Sequence, residues 1–119
     1  DGIILGSPVY TANISANMQA FLERASVVTD MNRSENLFQH KVGAAVTAAR
    51  RGGTLTTLDT MYHFLMLQNM FVVGSSYWAF GYGQMPGDVQ KDREGLDTMK
   101  NLDRNMAYLL KALEERRNK

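Results

Sequence analysis

The chain contains no cysteine, which removes disulfides, thiol nucleophiles and cysteine-held zinc or iron from the chemistry open to these residues. Only two prolines, Pro8 and Pro86, interrupt it, and Trp78 is its one tryptophan. No apolar run approaches the ~18 residues of a membrane span, and no signal peptide precedes the first apolar segment. An excess of one charge is lacking too. With 13 basic and 12 acidic residues the formal charge is +1, so no field gathers nucleic acid or an anionic membrane surface. What remains fits a cytoplasmic protein of one domain, with 45% hydrophobic residues to build a core.

The first seventeen residues, DGIILGSPVYTANISAN, pass from strand to loop to helix without a spare position. Ile3, Ile4 and Leu5 are apolar in succession, which suits a strand covered on both faces, as in a parallel sheet. Gly6, Ser7 and Pro8 stop it, so the loop over 7–13 lies at the strand's carboxyl end, where open α/β sheets bind ligands. A chain that begins at Asp1 and enters such a strand at once reads as a fragment whose preceding residues supply neighbouring strands.

Helical spacing begins at Ile14 and continues through Met18, Phe21, Leu22 and Ala25, with Asn13 or Ser15 as the cap. Residues 29–41 form a polar connection anchored by Leu37 and Phe38. A second strand covers 42–48 and ends at Arg50, Arg51, Gly52 and Gly53. A helix over 54–70 follows, with Leu55, Leu58, Met61, Tyr62 and Leu65 facing inward, then a third strand over 71–75. The stretch 76–90 carries Tyr77, Trp78, Phe80 and Tyr82 among glycines and reads as a long loop. A last helix over 92–116 repeats Met99, Leu102, Met106, Leu109, Leu110 and Leu113. This alternation predicts an α/β domain: a doubly wound parallel sheet in a three-layer α/β/α sandwich with right-handed crossovers.

The loops over 7–13 and 47–53 leave strand ends on the same edge of such a sheet and can form one cleft. A glycine pair lets backbone approach a flat ligand, and amides beside a helix start can bond its carbonyls or ring nitrogens. From spacing alone, ordinary turns fit equally well. His40 reads as a loop residue and His63 as a helix-surface or interface residue, and neither suggests a metal. Gly6-Ser7-Pro8 lacks the second glycine of a nucleophile elbow, and no carboxylate cluster ends a strand as phosphoryl acceptance would want. The eight methionines fall mostly on helix stripes and read as core.

The segment GSPVYTANISANMQAFLER closely resembles the stretch after the third strand of NADPH-dependent FMN reductase-like flavoproteins. KVGAAVTAA followed by RRGGTLTTL resembles that family's second flavin loop, a GG-x-x-x-TL pattern opening a helix, and NMFVVGSSYW resembles its fifth strand. The resemblance covers essentially all of residues 1–119, at the position of the C-terminal two-thirds of such a protein. Iron-sulfur flavoproteins, some with cluster cysteines ahead of this region, and NAD(P)H:quinone oxidoreductases are similar branches.

What the resemblance implies is a flavodoxin-like fold lacking its first two strands and the phosphate loop, bound FMN, and electron transfer from NADPH or NADH to a flavin or quinone acceptor. By match, Ser7, Pro8, Val9, Tyr10, Thr11 and Asn13 lie against the isoalloxazine. Thr47, Ala48, Ala49, Arg50, Arg51, Gly52 and Gly53 approach its pyrimidine side. Tyr10 either covers a ring face or packs. One of the two arginines, placed near the N1 and C2 carbonyl edge, would stabilise reduced, anionic flavin, or both are solvated charges on a turn. Read from the residues themselves, the aromatics Tyr77, Trp78, Phe80 and Tyr82 fit a wall of the nicotinamide site, a subunit contact or core packing, with Trp78 and Tyr82 the candidates for the first two. No side chain need act as a catalyst, because the flavin does the redox chemistry. A non-enzymatic electron carrier and a truncated oligomerising module without flavin are the competing readings, and the near-neutral charge leans to the enzyme.

The aromatic loop offers more apolar surface than a monomer usually leaves exposed, so a homodimer or homotetramer is expected. Light scattering at working concentration checks this, and a monomeric mass would contradict it.

Overall fold

A computed structural model describes residues 1–32 and 36–117. Its central element is the second strand, VGAAVTAA, whose side chains are small enough to be packed from both faces. The elements in order are β1 (Gly2–Pro8), α1 (Ala16–Met31), β2 (Val42–Ala49), α2 (Thr54–Leu67), β3 (Phe71–Val72), β4 (Phe80–Tyr82), a 3-10 turn (Asp88–Lys91) and α3 (Arg93–Arg117). All pairings among these strands are parallel. β1 runs beside β2 from Gly2 opposite Val42 to Pro8 opposite Ala48. On the other side, β3 pairs with the start of β2 and β4 with its end.

Helices α1 and α2 cover one face over Leu5, Leu22, Leu58, Met61, Phe64 and Leu65. Helix α3 covers the other through Leu102 and Met106, packed on Val42, Ala44, Val73 and Ala79. Gly43 lets α2 sit close, since a Cβ there would fall 2.9 Å from Leu65 Cδ2. The three layers are those expected from the alternation of the sequence. No described helix is long and apolar enough to cross a membrane.

Several details differ from the sequence reading. β1 is not covered on both faces: Leu5 is 2% exposed but Ile4 is 52% exposed, because β1 borders the sheet among the described residues and α3 lies over β2 and β4. β1 also continues through Ser7 and Pro8. Val9 N donates to Ala48 O, so strand alternation directs the missing N–H of Pro8 away from β2, where it breaks no ladder bond. Ser15, not Asn13, caps α1, its Oγ accepting from Met18 N. That helix extends to Met31, and residues 33–35 of the expected connection lie outside the described residues. Phe38 does anchor the connection, edge-on to Phe64 with ring centroids 5.8 Å apart, while Leu37 is exposed. Phe21 and Leu55, expected inward, are exposed, and Phe64 takes an inner place instead.

The third strand breaks after Val72 and resumes at Phe80, inside the stretch read as loop. Val73 N still donates to Gly43 O, and Thr47 N to Ala79 O. Between them the chain leaves the sheet and is tied to α3: Asn105 Nδ2 donates to Gly74 O, Ser75 Oγ to Thr98 O, and Asn101 Nδ2 to Ser75 Oγ. Asn105 thus satisfies the Gly74 carbonyl that a continuous ladder would have used, while Ser75 links the detour to the backbone of α3 at Thr98 and to the side chain of Asn101.

Asp92 fastens β4 to α3, its Oδ1 accepting from Gly95 N and its Oδ2 from Tyr82 N, both at 2.9 Å. The Gly95 amide, and then the Tyr82 amide, hold its carboxyl below the usual carboxylate range. A depressed folded value means the contribution is complete above the unfolded carboxylate range and disappears as pH falls through the lower folded value. Asp92→Ala is expected to cost about 1 kcal/mol at neutral pH in urea unfolding, as loss of a capping carboxylate usually does. The gap from the parent should close below about pH 4, and a gap independent of pH would contradict this.

Candidate functional site

The carboxyl ends of β1 and β2 bring the two loops against each other. Hydroxyls brace their bases: Thr47 Oγ1 donates to Ser7 O at 2.6 Å, while Ser7 Oγ donates to Pro8 O at 2.8 Å and accepts from Ser15 N at 3.0 Å. Ser7, Thr47 and Ala49 are therefore inside, with little surface of their own.

Beyond Val9 the chain reverses in a two-residue hairpin. Tyr10 N donates to Asn13 O at 2.8 Å and Asn13 N to Tyr10 O at 3.1 Å. The residues between them, Thr11 and Ala12, have φ of 49° and 61°. This is a turn of the I′ kind, which ordinarily takes Asn or Gly, here built on two side chains that do not favour left-handed backbone. The second loop keeps it in place. Gly53 has φ of +87°, and a Cβ there would fall 2.8 Å from both Ala12 Cα and Val9 Cγ1. Asn13 Oδ1 accepts from Ile14 N and from Thr60 Oγ1 of α2, both at 2.8 Å.

The accessible rim holds Pro8, Tyr10, Thr11, Arg50, Arg51 and Gly52, with Val9, Asn13, Ala48 and Gly53 half-buried behind it. Tyr10 is 63% exposed. Among the described residues, the backbone amides of Thr11, Ala12, Arg50, Arg51, Gly52 and Gly53 donate to no protein acceptor. Helix α2 starts at once after them with Gly53 as its N-cap, no capping side chain and no acid in its first turn, so its positive end stays open. Above Gly52 there is free space, with no atom within 4 Å of a Cβ built there. Amide donors and two exposed arginines suit a ligand rich in carbonyl and ring-nitrogen acceptors.

Tyr82 reaches this site, its hydroxyl 3.4 Å from Thr54 Oγ1 in the first turn of α2. Trp78 stands at the far end of a row of rings, with centroid separations of 5.3 Å from Tyr82 to Phe80, 6.0 Å from Phe80 to Tyr77 and 4.7 Å from Tyr77 to Trp78. Trp78 also lines a cavity of about 290 Å³ with Tyr62, Ser75 and Leu102, where burial and then Asp59 push the Tyr62 phenol up. His40 stacks on Phe71 at the opposite end of the sheet, and His63 is exposed on α2. Two residues of the site escaped the sequence reading. Thr60 is one threonine among several on α2, and Ala12 gives no sign of its left-handed backbone.

The family model of NADPH-dependent FMN reductase matches residues 1–84. An iron-sulfur flavoprotein of Methanocaldococcus jannaschii is 36% identical over 122 aligned positions, which cover 97% of this chain and 61% of that protein. The NAD(P)H dehydrogenase (quinone) of Acidithiobacillus ferrooxidans is 38% identical over 79 positions, covering 65% of this chain and 38% of that one. Among solved structures, the flavodoxin, WrbA-like protein from Agrobacterium tumefaciens superposes with a TM-score of 0.63 at 20% identity, covering 87% of this chain and 67% of that chain. The fold is therefore flavodoxin-like. The chain spans about three-fifths of the length of the first iron-sulfur flavoproteins it matches.

The contact between the loops gives a direct test. Gly53→Ala adds a methyl against Ala12 and Val9 at positive φ and is expected to cost about 1–3 kcal/mol. Gly52→Ala, which meets open space, should stay within about 0.5 kcal/mol of the parent. Thermal melts of the two variants compare them, and equal losses would contradict the close approach.

Proposed function

Because this chain belongs to the NADPH-dependent FMN reductase family, we propose that its two joined loops hold the isoalloxazine of FMN in an oxidoreductase that passes electrons from NADPH or NADH to a flavin or quinone acceptor. The observation that carries this reading is the row of unpartnered amides at Thr11, Ala12 and Arg50 to Gly53, gathered at strand ends beside the open start of α2. FMN held there would supply the redox chemistry between the nicotinamide donor and the acceptor.

The residues of the chain bind, orient and polarise. The backbone of residues 50–53 offers donors to the pyrimidine edge, while Pro8, Val9 and Tyr10 border the ring. A guanidinium from Arg50 or Arg51 offsets the negative charge gained on reduction. Tyr82 closes the side next to α2, and Trp78 serves the nicotinamide site or a subunit contact further along the ring row. We also infer a cytoplasmic homo-oligomer, since exposed Tyr77, Trp78 and Tyr82 form an apolar surface suited to a second copy.

Arg50→Ala and Arg51→Ala are expected to differ in stopped-flow reduction of the FMN-loaded protein by NAD(P)H. The arginine nearer the pyrimidine edge should slow reduction about tenfold when removed, or ~1.4 kcal/mol of transition-state stabilisation. Parental rates in both variants would assign the pair to solvent. A purified protein that leaves the absorbance and fluorescence of added FMN unchanged would end the proposal itself.

A further inference from the structure

The hydroxyl of Thr60 has one proton and two acceptors within reach, Asn13 Oδ1 at 2.8 Å and Thr56 O at 3.1 Å. A threonine inside a helix ordinarily donates to the carbonyl four residues back, as Thr57 does to Gly53 O at 2.8 Å. Thr60 lies closer to a side chain 47 positions away in sequence. Asn13 Oδ1 also accepts from Ile14 N. A backbone N–H can only donate, so this bond identifies the amide oxygen and fixes which end of the Asn13 side chain faces inward. With both donors in place the oxygen is fully used. Its Nδ2 carries two N–H groups and has no protein acceptor among the described residues, and the same holds for the amides of Thr11 and Ala12 in the adjoining turn.

We propose that Thr60 is a positioning residue for the flavin loop: by holding Asn13 Oδ1 it orients Asn13 Nδ2 as a donor, beside the Thr11 and Ala12 amides, for an acceptor atom of the flavin. This rests on the FMN reading given above. The physical need for such a latch lies in the turn itself. Thr11 and Ala12 hold left-handed backbone that neither residue favours. Of their attachments to the second loop and α2, Gly53 contributes close contact, while Thr60 contributes a bond that depends on direction. Removing that bond leaves the Asn13 side chain free to rotate and the donor no longer preorganised.

Three substitutions test this in the full chain. Thr60→Val keeps the shape and removes the proton, Thr60→Ser keeps the hydroxyl, and Asn13→Asp keeps the acceptor oxygens while removing the Nδ2 donors. In fluorescence-quenching titrations with FMN, Thr60→Val is expected to bind about five- to tenfold more weakly than the parent, the worth of one directed hydrogen bond. Thr60→Ser should bind within about twofold of the parent. Asn13→Asp should lose at least as much as Thr60→Val.

A second readout needs no flavin. In NMR spectra of the apo protein, the Asn13 side-chain amide and the Ile14 backbone amide should shift in Thr60→Val and stay near their parental positions in Thr60→Ser. Equal FMN binding by parent and Thr60→Val overturns the proposal, as does equal weakening in Thr60→Ser and Thr60→Val, which would mark the effect as steric. Unmoved Asn13 and Ile14 signals overturn the latch whatever the flavin result. Should Thr60→Val fail to melt cooperatively, parental FMN binding by Asn13→Asp overturns the donor role alone. A parent that binds no FMN overturns the flavin reading itself, an outcome the NMR comparison keeps separate from failure of the latch.

Discussion

Strand β2 must satisfy hydrogen bonds along both edges and accept helices on both faces, and it does so with side chains no larger than valine. Most of the architecture follows from that crowding. A larger residue at Gly43 would displace the buried side chains of Leu65 and Met70, and larger ones at Ala44 or Ala45 would crowd the helix layer each faces. The same compression acts at the carboxyl end. With β1 in register up to Pro8 opposite Ala48, the chain beyond each strand emerges beside the other. The contact of Gly53 with Ala12 and Val9 is thus the last step of a packing that starts in the core.

Which parts of this could be read in advance depends on how local their cause is. β2, α2 and α3 announce themselves through period and composition, and the α/β alternation and the family suggested by SPVYTAN and RRGGTL both hold. β4 was illegible because Phe80, Gly81 and Tyr82 sit among glycines. What makes them a strand is the far half of β2 and the carboxylate of Asp92, neither of which is near in sequence. The exposure of Ile4 likewise depends on where α3 lies rather than on the residue. In the loops, the type of each residue was visible but its direction was not. Ser7 and Thr47 look as able to meet a ligand as Thr11 does, yet their hydroxyls are turned into the strand ends.

The electrostatic character of the paired loops comes mainly from what is withheld. α2 begins without a capping side chain or an early acid, and several amides before it are left unmatched. Lying on the accessible rim, most of those donors are met by water. The cost lies in the strained turn at Thr11 and Ala12. Rigid helices and the β1–β2 ladder offset it, so donors that would relax in a free peptide keep a fixed direction.

The interrupted strand has a consequence for how these molecules meet in concentrated solution. A neighbouring chain seeking to extend the sheet past β3 and β4 would find a run of two residues, a detour fastened to α3 by asparagine and serine side chains, and then a run of three. No continuous ladder can grow across such a gap, so this border resists the edge-to-edge stacking that seeds fibrils. The polar groups that pin the detour thereby act as a guard against aggregation on that side of the molecule.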